Sequence, residues 1–257
     1  MIAHSANPYT GKELMTMSLV YPRFVHSEFM THRVFSRNAM SSRAVPVQKM
    51  IDQVRNDPAM PIHWGSNKPG MQAGEELTGG DLITSKHLWK KAAEEAANSA
   101  QHMMTLGLHK QVVNRILEPF QWMHTIVSAT EWENFFDLRI SDMAEPNMRQ
   151  LAQCMKMCID LSVPAETEYH VPYVSDEEIR NNPIGYVMML SAARCARASY
   201  LNHDGSAPDA VKDYALAKML KESRHASPFE HQAEALGTDD QSRNFIGWEQ
   251  QRAMMYL

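Results

Sequence analysis

The sequence predicts an α+β fold that is rich in helix and forms one domain over residues 1–257. Several long stretches have helical apolar spacing, strand-like stretches are few, and the strands do not alternate regularly with helices. A chain of 257 residues with 44% hydrophobic residues is long enough to bury a sizeable core. Irregular strand order argues against a doubly wound parallel sheet.

Apolar periodicity and capping residues set the expected elements. The stretch ELMTMSLVYP (13–22) predicts a strand, and RFVHSEFMTHR (23–33) has the apolar spacing of a helix. Residues 57–82 are rich in proline and glycine and predict a long loop within the domain. Further helices are predicted over 84–107, capped by Thr84, over 109–127, which Pro119 kinks or ends, and over 144–162, 184–200 and 208–222, and a short strand is predicted over 229–237.

Charge and cysteine content restrict the class of protein. The formal net charge of −5 and the pI of about 6.2 give no overall positive field, so no nucleic-acid partner is expected. No run of about 18 apolar residues and no signal peptide is visible, so no membrane partner is expected. Three cysteines without a disulfide pattern indicate a reduced, cytoplasmic setting. Cys154 and Cys158 have a spacing that could bind metal, but no further Cys or His pair lies nearby and the histidines show no His-Glu-x-x-His pattern. No metal site is therefore predicted.

Residues 28–46, EFMTHRVFSRNAMSSRAVP, collect side chains that donate hydrogen bonds. Three arginines alternate in this stretch with three serines: Arg33, Arg37, Arg43, Ser36, Ser41 and Ser42. Small hydroxyl residues let the backbone present N–H groups to an anion, and arginine adds a bidentate fork suited to phosphate. The stretch therefore predicts a phosphate-binding loop. The alternative is a solvated loop whose arginines pair with surface carboxylates.

Three further stretches carry similar residue types. Arg115 in HKQVVNRILEPF and Arg139 in NFFDLRISDMAE lie among apolar residues, where an arginine needs an anionic partner. That partner is either a bound anion or a carboxylate of the protein, for which Asp137 and Glu118 are the candidates. In ESRHASPFEHQAE, two histidines and Glu230 flank a Ser-Pro turn.

Together these stretches resemble the motifs of the flavin-dependent thymidylate synthases. Residues 31–44 resemble the family signature Arg-His-Arg-x-x-Ser-x-Asn-Glu-x-Ser-x-Arg-Tyr, with matches at His32, Arg33, Ser36, Asn38, Ser41 and Arg43. RHASPFEH resembles the family's flavin motif, VVNRILEP and NFFDLR resemble its later arginine-containing segments, and AARCARASY (192–200) resembles its opening stretch. The flavin motif precedes the signature in the family and follows it here, so the resemblance implies a circularly permuted, divergent member.

The resemblance also implies a fold and an activity. The fold is a helix-rich single domain around a small, mostly antiparallel sheet. The activity is C5-methylation of dUMP to dTMP, with methylenetetrahydrofolate, FAD and NADPH. The implied partners are a pyrimidine deoxynucleoside monophosphate and copies of the chain in a homotetramer, because the family's sites are built from several subunits. Two alternatives stay open: methylation or hydroxymethylation of another pyrimidine nucleotide such as dCMP, and a non-catalytic nucleotide-binding descendant.

The resemblance assigns roles to individual residues. The implied catalytic residues are Arg139, which polarises the pyrimidine carbonyl, and Arg33. The implied substrate-binding residues are Glu28, Ser41, Ser42, Arg43, Arg115 and Arg139. The implied cofactor-binding residues are His32, Arg33, Ser36, Asn38, His225, Ser227 and Glu230.

The sequence departs from the family's pattern within these motifs. Thr31 replaces an arginine, Ala39 replaces a glutamate, and Glu28 stands where glutamine is usual. The family's Asn-x-Arg flavin contact falls near residues 130–133, which contain no arginine. The pyrimidine nucleotide site is therefore expected to be better preserved than the FAD site.

Overall fold

A computed structural model describes residues 1–198 and 205–255 of the chain, so the last two residues of the 192–200 stretch lie outside the described residues. The strands are β1 (Ala3–Ala6), β2 (Glu13–Pro22), β3 (Ser36–Ala39), β4 (Trp122–Ala129), β5 (Ala165–Glu166), β6 (Tyr169–His170), β7 (Ala233–Ala235), β8 (Gln241–Ser242), β9 (Phe245–Ile246) and β10 (Trp248–Gln250). The α-helices are α1 (His26–Phe29), α2 (Val47–Asn56), α3 (Gly79–Thr105), α4 (Lys110–Val113), α5 (Glu133–Arg139), α6 (Pro146–Asp160), α7 (Asp176–Asn181), α8 (Ile184–Arg197), α9 (Ala210–Glu222) and α10 (Gln251–Met254). Short 3₁₀ turns cover Arg23–Val25, Asn114–Phe120 and Ser227–Glu230.

The main sheet has the strand order β3-β4-β2-β1-β5. Its pairings are antiparallel apart from the parallel pair of β1 and β5. Two smaller sheets, β10-β7-β6 and β8-β9, lie in the C-terminal part. The expected helix-rich α+β fold with a small, mostly antiparallel sheet is confirmed.

The two faces of the main sheet have different surroundings. Alternate residues of β2, from Met15 to Tyr21, point into a core that α5 and α6 complete. Val20 points to the opposite face, where it is 53% exposed. Helices α2 and α3 form a second core with the 3₁₀ turn at 114–120, and α8 and α9 form a third with the turn at 227–230. Among the described residues, no helix has both the length and the apolar character needed to cross a bilayer.

Most predicted elements are confirmed. The strand at 13–22 has the predicted bounds, and the helices predicted over 144–162 and 208–222 are α6 and α9. The helix predicted over 184–200 is α8, which ends at Arg197. The strand predicted over 229–237 is shorter, because its first residues belong to a 3₁₀ turn that begins with Ser227 and Pro228.

Other predicted elements are wrong in part. The helix predicted over 23–33 is broken into a 3₁₀ turn and α1, and β3 follows where a loop was expected. The helix predicted over 109–127 is wrong beyond Phe120, because Pro119 cannot continue it and β4 follows. The loop predicted over 57–82 ends at Thr78, since α3 tolerates glycines in its first turn and begins before Thr84.

A buried chain of hydrogen bonds crosses the main sheet. Nδ1 of His170 lies 2.8 Å from Ser5 Oγ, and its Nε2 lies 2.7 Å from Thr16 Oγ1. Thr16 Oγ1 is 2.6 Å from Ser128 Oγ, which is 2.8 Å from Nδ1 of His231. Burial lowers the pKa of both His170 and His231 to about 3, so both rings are neutral at neutral pH.

These two histidines should make the fold sensitive to mild acid. Their pKa is about 6.5 in an unfolded chain and about 3 in the fold. The unfolded chain therefore binds more protons between these values, and the free energy of unfolding falls as the pH falls. We expect a loss of about 2 kcal/mol per histidine between pH ~7.5 and pH ~5, measured by urea unfolding at both pH values.

The matched variants separate this effect from general acid sensitivity. The double variant His170→Gln/His231→Gln should lose most of the pH dependence, because glutamine does not titrate. The variant His225→Gln should keep it, because His225 is exposed. An unchanged pH dependence in the double variant would contradict the assignment.

Candidate active site

The residues of the signature lie on edge strand β3 and on the turns at its two ends. Ser36 is fully buried, and its Oγ accepts a hydrogen bond from Nε2 of Gln250 at 2.9 Å. Nδ2 of Asn38 donates to the backbone oxygen of Cys195 at 2.6 Å, and Oδ1 of Asn38 accepts from Ser227 Oγ at 3.3 Å. The signature strand is thus attached to the end of α8 and to the turn at 227–230.

The RHASPFEH segment meets the signature in space, although the two are far apart in sequence. His225 and Ser227 are exposed, and Nδ1 of His225 lies 2.9 Å from Ser223 Oγ. The carboxylate of Glu230 forms an ion pair with Arg252, and burial raises the pKa of Glu230. This juxtaposition is the one that a circular permutation requires.

Arg139, the last residue of α5, forms a cluster with the residues around α1. Its Nε donates to Nε2 of His32 at 2.9 Å, its Nη1 lies 3.3 Å from Glu28 Oε2, and its Nη2 donates to Thr31 Oγ1 at 3.3 Å. Burial and, second, Arg139 lower the pKa of His32. The ring is therefore neutral at neutral pH, with its Nε2 as the acceptor. We call these four residues the Arg139 cluster.

The predicted phosphate loop contributes to a different cluster, centred on Glu118. Oε1 of Glu118 accepts from Ser42 Oγ at 3.0 Å and pairs with Nη1 of Arg115 at 2.7 Å and Nη2 of Arg23 at 2.9 Å. Of the two carboxylates that the sequence offered as partners, Glu118 is therefore the one that Arg115 uses. We call this set the Glu118 cluster.

The loop between β3 and α2 is held from within. Nδ2 of the buried Asn114 donates to the backbone oxygens of Ser42 at 2.6 Å and Val45 at 3.0 Å. This anchorage leaves the side chains of Ser41 and Arg43 exposed beside the Glu118 cluster. The loop is therefore fixed in position while its expected phosphate ligands face outward.

The predicted substrate residues form two clusters in one copy of the chain. Within residues 1–198 and 205–255, no hydrogen bond or ion pair joins the Arg139 cluster to the Glu118 cluster. Arg33 is exposed on the turn before β3, and its backbone oxygen accepts from Asn244 at 3.4 Å. Arg37 donates to the backbone oxygens of Met30 and His32 at 2.9 Å and so shapes that turn.

The sequence reading missed Arg23 and Arg252, the partners of two carboxylates at the candidate site. Arg23 follows directly after strand β2, at the point where the chain turns from the sheet into the signature region. Its place at a strand end was the available signal. Arg252 lies near the C-terminus, outside the motifs, and nothing in the local sequence marks it.

A cavity of about 920 Å³ lies next to the signature loop. Its floor is the sheet face that carries Val20, Trp122 and His124, and Met40 and Ala44 bring the loop to its rim. The other walls are α2 and the last turn of α8. A cavity of this size is in the range that holds a small molecule or a cofactor.

The family model described as thymidylate synthase complementing protein matches residues 13–165, more than half of the chain. The chain belongs to this family. It is the flavin-dependent thymidylate synthase family, so the resemblance found in the sequence is confirmed. The match includes the signature, Arg115 and Arg139, whereas the RHASPFEH segment lies outside it and joins the site through the fold.

Solved structures that are similar to this chain include two of the UMP/dUMP methylase PolB from Streptomyces cacaoi. The structure bound with 5-Br dUMP has a TM-score of 0.47 and 18% identity, and the match covers 57% of this chain and 65% of that chain. The structure bound with 5-Br UMP has a TM-score of 0.47 and 17% identity, with 59% and 71% covered. The chain thus spans less than two thirds of the first of these structures. Comparison with curated sequences gives no match.

The donor set near β3 fits the anionic cofactor that the family implies. Arg33, His225 and Ser227 are exposed and supply the N–H and O–H donors that a dinucleotide's phosphates accept from. Ser36 and Asn38 have hydrogen-bond partners within the protein. Both side chains hold the strand in place, and their contact with FAD stays a prediction.

Proposed function

We propose that the protein methylates C5 of dUMP to give dTMP, with methylenetetrahydrofolate as carbon donor and FAD and NADPH as redox cofactors. The observation that carries this proposal is the Arg139 cluster. It places a guanidinium beside the neutral ring of His32 and the carboxylate of Glu28, all within the segment that the family model matches. A fixed cation aimed at a carbonyl stabilises the negative charge that develops there during attack at the ring.

The carboxylate of Glu28 discriminates between uracil and cytosine according to the atom of the base that it meets. An ionised carboxylate only accepts hydrogen bonds. Uracil donates from N3 and accepts at O4, whereas neutral cytosine accepts at N3 and donates from its N4 amino group. Glutamine, the usual residue of the family at this position, can do either. We propose that Glu28 meets N3, which favours dUMP, whereas a contact at position 4 would favour dCMP.

The flavin would lie along β3, held by Arg33, His225 and Ser227, with His32 close to the substrate. FAD supplies the hydride when it is bound. The chain's own part is to hold the two rings together: Asn38 fixes β3 to α8, and Arg37 fixes the turn that carries His32. Orientation by such fixed groups is a main contribution of the protein in cofactor enzymes.

The complete site would need more than one copy of the chain. The Arg139 cluster carries the residues proposed for the pyrimidine, and the Ser41–Arg43 loop carries those proposed for its phosphate. Because no polar contact between described residues joins them in one copy, we propose that a homotetramer brings the loop of one subunit to the Arg139 cluster of another. The three cysteines are free, which supports the proposed cytoplasmic setting.

The activity can be tested directly by the mass of the product. The purified protein is incubated without oxygen with dUMP or dCMP, methylenetetrahydrofolate, FAD and NADPH. We expect dUMP to gain the mass of a methyl group and dCMP to stay unchanged. Omission of FAD should abolish the conversion. Modification of dCMP alone would contradict the role of Glu28, and tight dUMP binding without any conversion would establish the non-catalytic descendant.

Removal of Arg43 should weaken nucleotide binding. The variant Arg43→Ala loses a charge-assisted contact to phosphate, for which we expect dUMP affinity to fall by about 2–4 kcal/mol, measured by titration calorimetry. The matched control is Arg55→Ala, because Arg55 is paired with Glu94 on the helix surface. Equal dUMP affinity in the wild type and Arg43→Ala would show that the loop is solvated surface.

Neutralisation of Glu118 should strengthen nucleotide binding. Its carboxylate occupies Arg115 and Ser42, two of the groups proposed for the nucleotide phosphate, and so competes with that phosphate. We expect Glu118→Gln to tighten dUMP binding about tenfold. Glu94→Gln, which removes a surface ion pair elsewhere, should have no effect. A weaker affinity in Glu118→Gln would show that Glu118 is needed to position Arg115, and an unchanged affinity would show that it does not compete with the phosphate.

A further inference from the structure

We propose that the cavity between α2 and the end of α8 is a binding site for an organic anion with a ring-containing, apolar body. Its anionic group would bind Arg197, and an N–H or O–H donor on it would bind Gln53. Neither residue has a role in the function proposed above. The site adjoins the signature loop through Met40 and Ala44.

The side chain of Arg197 is the first observation behind this proposal. It lines the cavity and is only 9% exposed. Its Nη1 donates to Asp213 Oδ1 at 2.6 Å, but its Nε and Nη2 are buried and have no hydrogen-bond partner among the residues that the structure describes. Asp213 also accepts from Nε of Arg194 at 2.9 Å, so this carboxylate is already shared. Buried donors of a guanidinium without acceptors are unfavourable, and a bound anion would satisfy them.

Gln53 provides a second unsatisfied atom on a different wall. Its Nε2 donates to the backbone oxygen of Asp57 at 2.6 Å. The donor group of Gln53 is therefore already used within the protein, which leaves its oxygen for the ligand. Its Oε1 is buried and has no partner among the described residues. Two walls of one cavity therefore each present an unused group, a cationic donor on α8 and a neutral acceptor on α2. A ligand that carries both an anion and a donor matches this pair.

The remaining lining fits the body of such a ligand. Trp122, Val20, Val45 and Met50 give the cavity an apolar surface. An indole ring favours a flat aromatic partner through stacking or edge contacts. The volume of about 920 Å³ exceeds what a simple inorganic anion needs and suits a molecule of two or more rings.

The hydrogen-bond donors of Arg197, rather than a net charge, favour an anion. Among the residues that line the cavity, Arg197 and Lys49 are cationic, Asp57 is the carboxylate and His124 is the remaining titratable group. Burial and, second, Lys49 lower the pKa of His124, so this ring is neutral at neutral pH. Asp213 and Glu178 balance the charges of Arg197 and Arg194, so an anion would be held by the N–H groups of Arg197 that lack acceptors among the described residues.

A pair of matched probes tests the proposal. The fluorescent probe 8-anilinonaphthalene-1-sulfonate carries a sulfonate, an N–H group and aromatic rings, and N-phenyl-1-naphthylamine is its neutral analogue without the sulfonate. We expect one site per chain for the sulfonate probe. We expect Arg197→Met to weaken that probe about 10- to 100-fold and to change the affinity of the neutral analogue less than about twofold.

Two further variants keep the test decisive. Val20→Trp fills the cavity at an exposed strand position and should weaken both probes, even if Arg197→Met fails to fold. Arg55→Met, on the outer surface of α2 where Arg55 pairs with Glu94, should change neither. Circular dichroism confirms the fold of each variant. Equal loss of both probes in folded Arg197→Met, or undiminished sulfonate binding in Val20→Trp, would overturn the proposal.

Discussion

The attachment of Asn38 to the end of α8 is the constraint on which the rest of the site depends. β3 is an edge strand, and an edge presents unpaired polar groups that need a cover. The last carbonyls of a helix also lack partners within the helix. The amide of Asn38 donates to two of these carbonyls, those of Cys195 at 2.6 Å and Ala196 at 3.3 Å. One side chain thus satisfies a helix end and fixes the strand from which the signature turns extend.

This attachment explains how the motifs can follow one another in a different order along the chain. The RHASPFEH segment reaches β3 through Ser227, and the stretch after it reaches the N-terminal hairpin, where Nδ2 of Asn7 donates to the backbone oxygen of Leu236 at 2.9 Å. The residues that follow the RHASPFEH segment therefore lie beside those that precede β2. A fold in which these two points are neighbours can be cut or joined there without disturbing the site.

Sequence reasoning identified the motifs and most helices, and it failed where side-chain partners depend on local geometry. Strand β4 was missed because VVNRILEP continues an apolar helical pattern, although the β-branched residues Thr125–Val127 were the signal for a strand. Both Asp137 and Glu118 were candidate partners for arginine. Only the 3₁₀ turn, which places residues three apart on one side, determines that Arg115 meets Glu118. Neither the shared use of Asp213 nor the unused atoms of Arg197 has a local sequence pattern.

Three arginines of the site each have a carboxylate beside the guanidinium. Arg139 is partly buried, so it needs an anion, which Glu28 supplies. Arg252 and Arg115 are more exposed and pair with Glu230 and Glu118. Such a carboxylate orients the arginine but also competes with any anionic ligand. At Glu118 the balance is unequal, because one carboxylate faces both Arg23 and Arg115 and leaves a positive charge. The phosphate proposed to bind here would be attracted by that surplus, and Glu118 would lower the affinity for it without blocking the site.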